Sequence, residues 1–346
     1  MRRRHKQAVG IIVVAALLAG AGAWTYVRYR QATPAAPVVS GVRAGPADQA
    51  PSPGIAPARG PGEAPIELSL QGPASQPASS PAGAPDADAQ LQSGRELLQA
   101  GKLLEARAAL SDLFFRGALD PAQQKQAVQD LTLLAEQTIF CPRIVGDDPC
   151  AMQYTIRPGE NLTAVERRLG LHVPTQILVK INNLPSASSL RAGQTIKVIQ
   201  GPVHAVVSKS RFTMDLYLQR DEQPRAFLNR IRVGLGKANG TPEGLWRVSG
   251  KVAAAPWTAP PDHPLRGKVI RPGEPMYPLG KDGLWIALEG SDQNTQPRKG
   301  YGIHGTDEPS SIGRAESSGC VRLADEDIHL AFWLFCEKLS TVQIRP

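Results

Sequence analysis

The alternation of apolar and polar positions divides the 346-residue chain into five stretches of different period. The first apolar run, Ala8 to Val27, is twenty residues without a charge. Arg2, Arg3, Arg4 and Lys6 precede it, and Arg28 and Arg30 come after it. A helix of that length covers about 30 Å, the thickness of one hydrocarbon core. The heavier basic cluster on its N-terminal side predicts a cytoplasmic basic tip and transmembrane signal-anchor over 1–30. Cleavage after Ala23 is the alternative, because Ala21-Gly22-Ala23 supplies the small residues of a processing site. Either reading exports the rest of the chain. Over 31–88 the large apolar side chains give way to Pro, Ala, Gly and Ser. Too little surface is left there to offset chain entropy, which predicts a disordered linker.

Over 89–140 the period is helical. "LQSGRELLQAGKLLEARAALSDLFFRG" and "DPAQQKQAVQDLTLLAEQTIF" predict a helical hairpin broken at "GALDP", with Asp120 as N-cap and Pro121 at the first helical position. "AGKLLEARAAL" resembles one tetratricopeptide-type unit, and a single unit cannot stack into a solenoid, so the hairpin is expected to pack on the next domain. Residues 151–200 read as strand, helix, helix, strand. From 202 to 346 short β-rich runs are separated by Gly, Pro, Asn and Asp. They predict about six strands with one helix, near Asp325 to Leu339: a mainly-β sandwich with a single covering helix.

Charge alters this picture less than its total suggests. The net charge of +8 comes from 39 basic and 31 acidic residues. Six of the basic residues lie in the first thirty, where there is no acid, and 33 remain against the 31 acids. The basicity therefore belongs to the membrane flank, and nothing marks a nucleic-acid surface. Export changes the reading of the four cysteines. Cys141 and Cys150 bracket eight residues and could close a small loop as a disulfide in an oxidising compartment. Cys336 falls on the apolar period of the last helix and reads as a core residue. Cys320 is left without a partner.

Cys320 lies in "YGIHGTDEPSSIGRAESSGCVRL", sixteen residues after His304. A thiol is mostly protonated at neutral pH, and a neighbouring imidazole can take its proton. Gly302, Gly305 and Gly319 permit tight turns and close substrate approach. The Gly319 and Cys320 N–H groups are candidate oxyanion donors, and Arg322 could hold a substrate carboxylate. No His/Cys/Asp cluster has metal-ligand spacing, so neither metal nor cofactor is expected. "GLGKANG" lacks the spacing of a dinucleotide loop. No Ser-x-x-K motif occurs, which excludes penicillin-sensitive serine chemistry of the D,D type.

Residues 154–200 resemble the LysM family through Tyr154, Pro158, Gly159, Glu160, Leu162, Asn182, Leu184, Leu190, Gly193, Gln194, Ile196 and Val198. The resemblance implies glycan binding, such as peptidoglycan, by Pro158, Gly159, Glu160 and Asn161 in one loop and by Asn182 and Leu184 at the other. Residues 202–346 resemble the L,D-transpeptidase (YkuD-like) catalytic domain through Thr241-Pro242-Glu243-Gly244, His304-Gly305-Thr306, Ile312-Gly313, Ser317 and Gly319-Cys320-Val321-Arg322. That resemblance implies Cys320 as nucleophile, His304 as its base, the Gly305 carbonyl as orienter of the imidazole, and Gly319 in the oxyanion backbone. Tyr301, Ser317, Ser318 and Arg322 would face the substrate. Asp307 and Asp262 read as solvated loop acids. Many members carry a histidine where Ser318 stands here. The implied reaction is acyl transfer between peptidoglycan stem peptides through a Cys320 thioester. Hydrolysis at the same site and a non-catalytic wall-binding role are the alternatives. The implied location is the cell envelope, with the domains outside the cytoplasmic membrane.

Overall fold

The computed structural model describes residues 87–220, 225–259 and 264–346. The expected signal-anchor and all but the last two residues of the expected linker lie outside the described residues. Among those described, no helix is long and apolar enough to cross a membrane.

Three helices open the described chain where the apolar period predicts two. Helices α1 (Ala87–Gln99) and α2 (Leu103–Arg116) are divided at Gly101, whose φ is 74°. Glycine enters this left-handed conformation without a Cβ clash and so stops a helix that the side-chain pattern would continue. Helix α3 (Pro121–Thr138) begins as its signals predict. Asp120 Oδ1 accepts from the Ala122 and Gln123 N–H groups, and Gln123 Oε1 accepts from the Asp120 N–H.

The next module runs β1 (Ala151–Thr155), α4 (Leu162–Leu169), α5 (Thr175–Ile181) and β2 (Thr195–Ile199), with β1 and β2 antiparallel. Its buried Leu162, Val165, Leu178 and Val198 belong to the same apolar core as the following sheet. Lys197, buried on β2, donates from Nζ to the carbonyls of Thr138, Cys141 (3.1 Å) and Arg143 (3.0 Å). The ammonium thereby satisfies carbonyls at the C-terminal end of α3 and ties this module to the helices.

The remaining strands are β3 (Val203–Ser208), β4 (Thr213–Leu218), β5 (Ala226–Arg232), β6 (Leu235–Gly236), β7 (Gly244–Val252), β8 (Trp257–Thr258), β9 (Val269–Ile270), β10 (Trp285–Gly290), β11 (Gly302–Gly305), β12 (Ala315–Ser317), β13 (Val321–Leu323) and β14 (Thr341–Arg345). Eight form one sheet in the order β13-β11-β10-β7-β14-β3-β4-β5, whereas β6 pairs with β12 and β8 with β9. The domain is mainly β, as expected, with more strands than the runs suggest. Its helix α6 (Asp325–Leu334) ends before the expected Leu339. Lys251 Nζ holds the Phe332 and Phe335 carbonyls at 2.9 and 2.8 Å, and Leu339 is exposed.

Every residue of β4 is buried. Helices cover this end of the sheet: Phe115 packs on Tyr217 of β4 with ring centroids 5.0 Å apart, while Leu110, Leu113, Leu131 and Leu134 close over Phe227 of the neighbouring β5, 5.3 Å from the Phe114 ring at 73°. Enclosing a phenylalanine in this way contributes roughly 2–3 kcal/mol. Covered on both faces, "TMDLYL" loses the alternation of a half-exposed strand.

All four cysteines are free thiols, which corrects the expected Cys141–Cys150 bridge. Cys141 Sγ turns to the Gln137 carbonyl at 3.0 Å. The loop is closed instead by an ion pair: buried Arg107 grips Asp148 at 2.6 and 3.0 Å and also bonds Thr138 Oγ1. Asp148 in turn accepts from the Cys150 N–H.

Candidate active site

Strands β11 and β13 run parallel with His304 paired to Arg322, and Cys320 immediately precedes β13. On its other side β11 is antiparallel to β10, where Trp285 is the cross-strand partner of His304. The indole and imidazole stack with centroids 5.5 Å apart and planes 13° from parallel. Gly302 makes room for this ring, since a Cβ there would lie 2.4 Å from Trp285 Cζ2.

His304 is only 6% exposed. Its Nδ1 lies 2.6 Å from Gly305 O. A carbonyl oxygen only accepts, so Nδ1 carries the proton and Nε2 is the basic nitrogen. Burial pushes the imidazole pKa down to about 4; the Gly305 carbonyl opposes this and the Arg322 charge adds to it. Burial also pushes the Cys320 thiol up, against the Gly302 N–H and Arg322. Cys320 Sγ lies 3.8 Å from Gly300 O. These shifts favour a neutral thiol and a neutral imidazole at rest. Such a pair suits a base that accepts the proton as the sulfur attacks, rather than a standing thiolate.

The turn before Cys320 is pinned from within. Ser317 Oγ accepts from the Gly319 N–H at 3.1 Å and donates to the Cys320 carbonyl at 2.7 Å. The Gly319 N–H, an expected oxyanion donor, is thus engaged by Ser317. The Cys320 N–H has no protein acceptor among the described residues. Gly319 has φ 142°, and a Cβ there would lie 2.7 Å from the Tyr301 ring. Half-buried Tyr301 thus walls the turn, whereas Ser318 is exposed beside it. Arg322 Nη1 reaches Glu308 Oε2 at 2.8 Å, and its buried Nε has no partner among the described residues. Asp307 is exposed, and Asp262 and His263 lie outside the described residues. His329 bonds Asp282, and His204 Nδ1 meets Thr341. Among the described residues no group of three metal-ligating side chains occurs. Trp285 was missed by sequence reasoning because only strand register places it on His304.

The expected glycan-binding residues divide differently. Glu160 accepts from the Tyr154 hydroxyl, from the Arg157 N–H and from Arg168, and its side chain is 6% exposed. Asn161 caps α4 through the Ala164 N–H. Asn182 donates to the Leu178 and Lys197 carbonyls and accepts from the Lys197 N–H. Leu184 packs on the core. These four residues therefore all have a part in holding the fold. Pro158 and Gly159 stay exposed, as do Arg157, Asn183 and Pro185.

Residues 202–344 match the family model of the L,D-transpeptidase catalytic domain, and residues 154–198 match that of the LysM domain. The chain carries a LysM domain followed by a YkuD-type L,D-transpeptidase catalytic domain. It is 28% identical over 185 residues to the Bacillus licheniformis protein named "Putative L,D-transpeptidase YkuD", covering 51% of this chain and 89% of that one. It is 37% identical over 100 residues to the Bacillus subtilis protein named "Putative L,D-transpeptidase YqjB", covering 28% and 49%. A solved L,D-transpeptidase from Mycobacterium smegmatis matches at 13% identity and a TM-score of 0.31, covering 46% of this chain and 65% of that one.

Proposed function

We propose that the protein is a peptidoglycan L,D-transpeptidase of the cell envelope that uses Cys320 as nucleophile and His304 as general base. One observation carries the reading. The Gly305 carbonyl accepts the hydrogen bond of His304 Nδ1–H, which leaves Nε2 as the basic nitrogen on the strand beside β13, which Cys320 immediately precedes. Cys320 Sγ attacks the carbonyl of the third residue in a tetrapeptide stem while His304 Nε2 accepts the thiol proton. The oxyanion forms near the Cys320 N–H. As the C–N bond breaks, His304 returns the proton to the departing D-alanine nitrogen, leaving a thioester. An amine of a second stem then attacks the thioester; the new C–N bond forms as the C–S bond breaks, and His304 Nε2 carries the amine proton to the departing Sγ. The exposed LysM residues Arg157, Pro158, Gly159, Asn183 and Pro185 hold the glycan strand.

A carbapenem tests the chemistry, because its strained amide acylates the same sulfur. Intact-mass and peptide spectrometry on the purified chain should place one adduct on Cys320, absent in Cys320→Ala. A wild-type chain that stays unmodified would sink the proposal. Incubation with tetrapeptide stems should yield dimers joined through their third residues. Release of D-alanine without dimers would instead favour hydrolysis at the same site.

A further inference from the structure

Thr241 is 1% exposed and sits in the loop between β6 and β7. Its hydroxyl accepts from the Gly236 N–H at 2.8 Å and donates to the Gly319 carbonyl at 2.8 Å. A hydroxyl has one proton to give, so this one is committed to Gly319 O. We infer that Thr241 is a positioning residue for the oxyanion donor, aiming the Cys320 N–H by holding the other end of the same peptide plane.

The argument is geometric. In a trans peptide the C=O and the following N–H lie in one plane and point in opposite directions. Fixing Gly319 O therefore fixes the direction of the Cys320 N–H. The bonds of Ser317 act on the two neighbouring peptide groups, at Gly319 N and Cys320 O, and leave the plane between them free to turn. Thr241 supplies the missing constraint. The surrounding loop is shaped to bring it there: a Cβ on Gly236 would lie 2.8 Å from Gly319 Cα, and one on Gly319 would lie 2.8 Å from Gly240 O. A preorganised donor stabilises the developing oxyanion because no reorientation is needed during reaction.

This inference rests on the transpeptidase reading, so the test separates the two. The full chain and its Thr241→Val and Thr241→Ser variants are treated with a carbapenem and, separately, with iodoacetamide. Acylation joins Sγ to the lactam carbonyl, breaks the lactam C–N bond and moves the thiol proton to that nitrogen, passing through an oxyanion. Alkylation displaces iodide, releases the thiol proton to solvent and forms no oxyanion. Thr241→Val should acylate about 10–100-fold more slowly, while alkylation stays within about twofold; Thr241→Ser should keep both rates. Equal acylation in Thr241→Val overturns the inference, as does a parallel fall in both rates or a Thr241→Ser variant that is equally slow. A wild-type chain that alkylates at Cys320 but never acylates overturns the transpeptidase reading, and the inference with it.

Discussion

The LysM module and the catalytic turn were both read from motif residues, yet those residues have opposite fates in the fold. In the LysM module Glu160, Asn161 and Asn182 have their polar atoms engaged by the protein's own backbone and side chains. At the catalytic turn Ser317 and Thr241 are engaged in the same way. The arrangement there leaves His304 Nε2 and the Cys320 N–H without protein partners among the described residues. A motif thus mixes side chains that build a site with groups that act in it. Unmet hydrogen-bonding capacity is what tells them apart.

The largest effect expected from this contrast is on pH. The folded pKa of His304, about 4, lies below its ordinary value of 6.5. The unfolded chain therefore binds that proton more readily, and stability falls as pH drops from 6.5 through 4. The loss is on the order of 3 kcal/mol from this group alone. Urea titrations at both pH values should show it, and His304→Gln should lose most of the difference. In the wild type the acid limb of carbapenem acylation should have its midpoint near 4. A midpoint near 6.5 would mean that the imidazole is not buried as described.

Next in size is Asn182. Asn182→Ala strips partners from the Lys197 N–H and from the Leu178 and Lys197 carbonyls, and should cost about 2 kcal/mol in a urea titration. If this variant keeps full stability but no longer pellets with glycan, Asn182 is a sugar contact after all and the contrast breaks.

The smallest effect concerns Trp285. An aromatic stack contributes about 1 kcal/mol. Trp285→Leu should therefore slow acylation about fivefold and leave iodoacetamide alkylation of Cys320 unchanged. Loss of both rates together would show that the indole supports the strand rather than the base.

Much of the fold was legible because it rests on local signals. Asp120 and Pro121 announced α3, β-rich runs broken by Gly, Pro, Asn and Asp announced the last domain, and the family resemblance of the surrounding motifs pointed to His304 and Cys320. The missed division between α1 and α2 turned on a single glycine, since a left-handed residue interrupts the backbone without disturbing the apolar period. The Cys141–Cys150 bridge was inferred from spacing and compartment. Sequence proximity could not show that Arg107, from a different helix, already closes that loop through Asp148.

Residue type and order alone determined the chemistry available: one imidazole and one thiol in a single motif, and glycines where the backbone must turn. Only tertiary structure decided which atoms are free to use it. The Trp285 stack comes from the register of β10 on β11, and the Thr241 bond to Gly319 joins residues 78 positions apart. Both depend on long-range pairing, which no local pattern encodes, because a hydrogen bond is specified by where two segments meet in space.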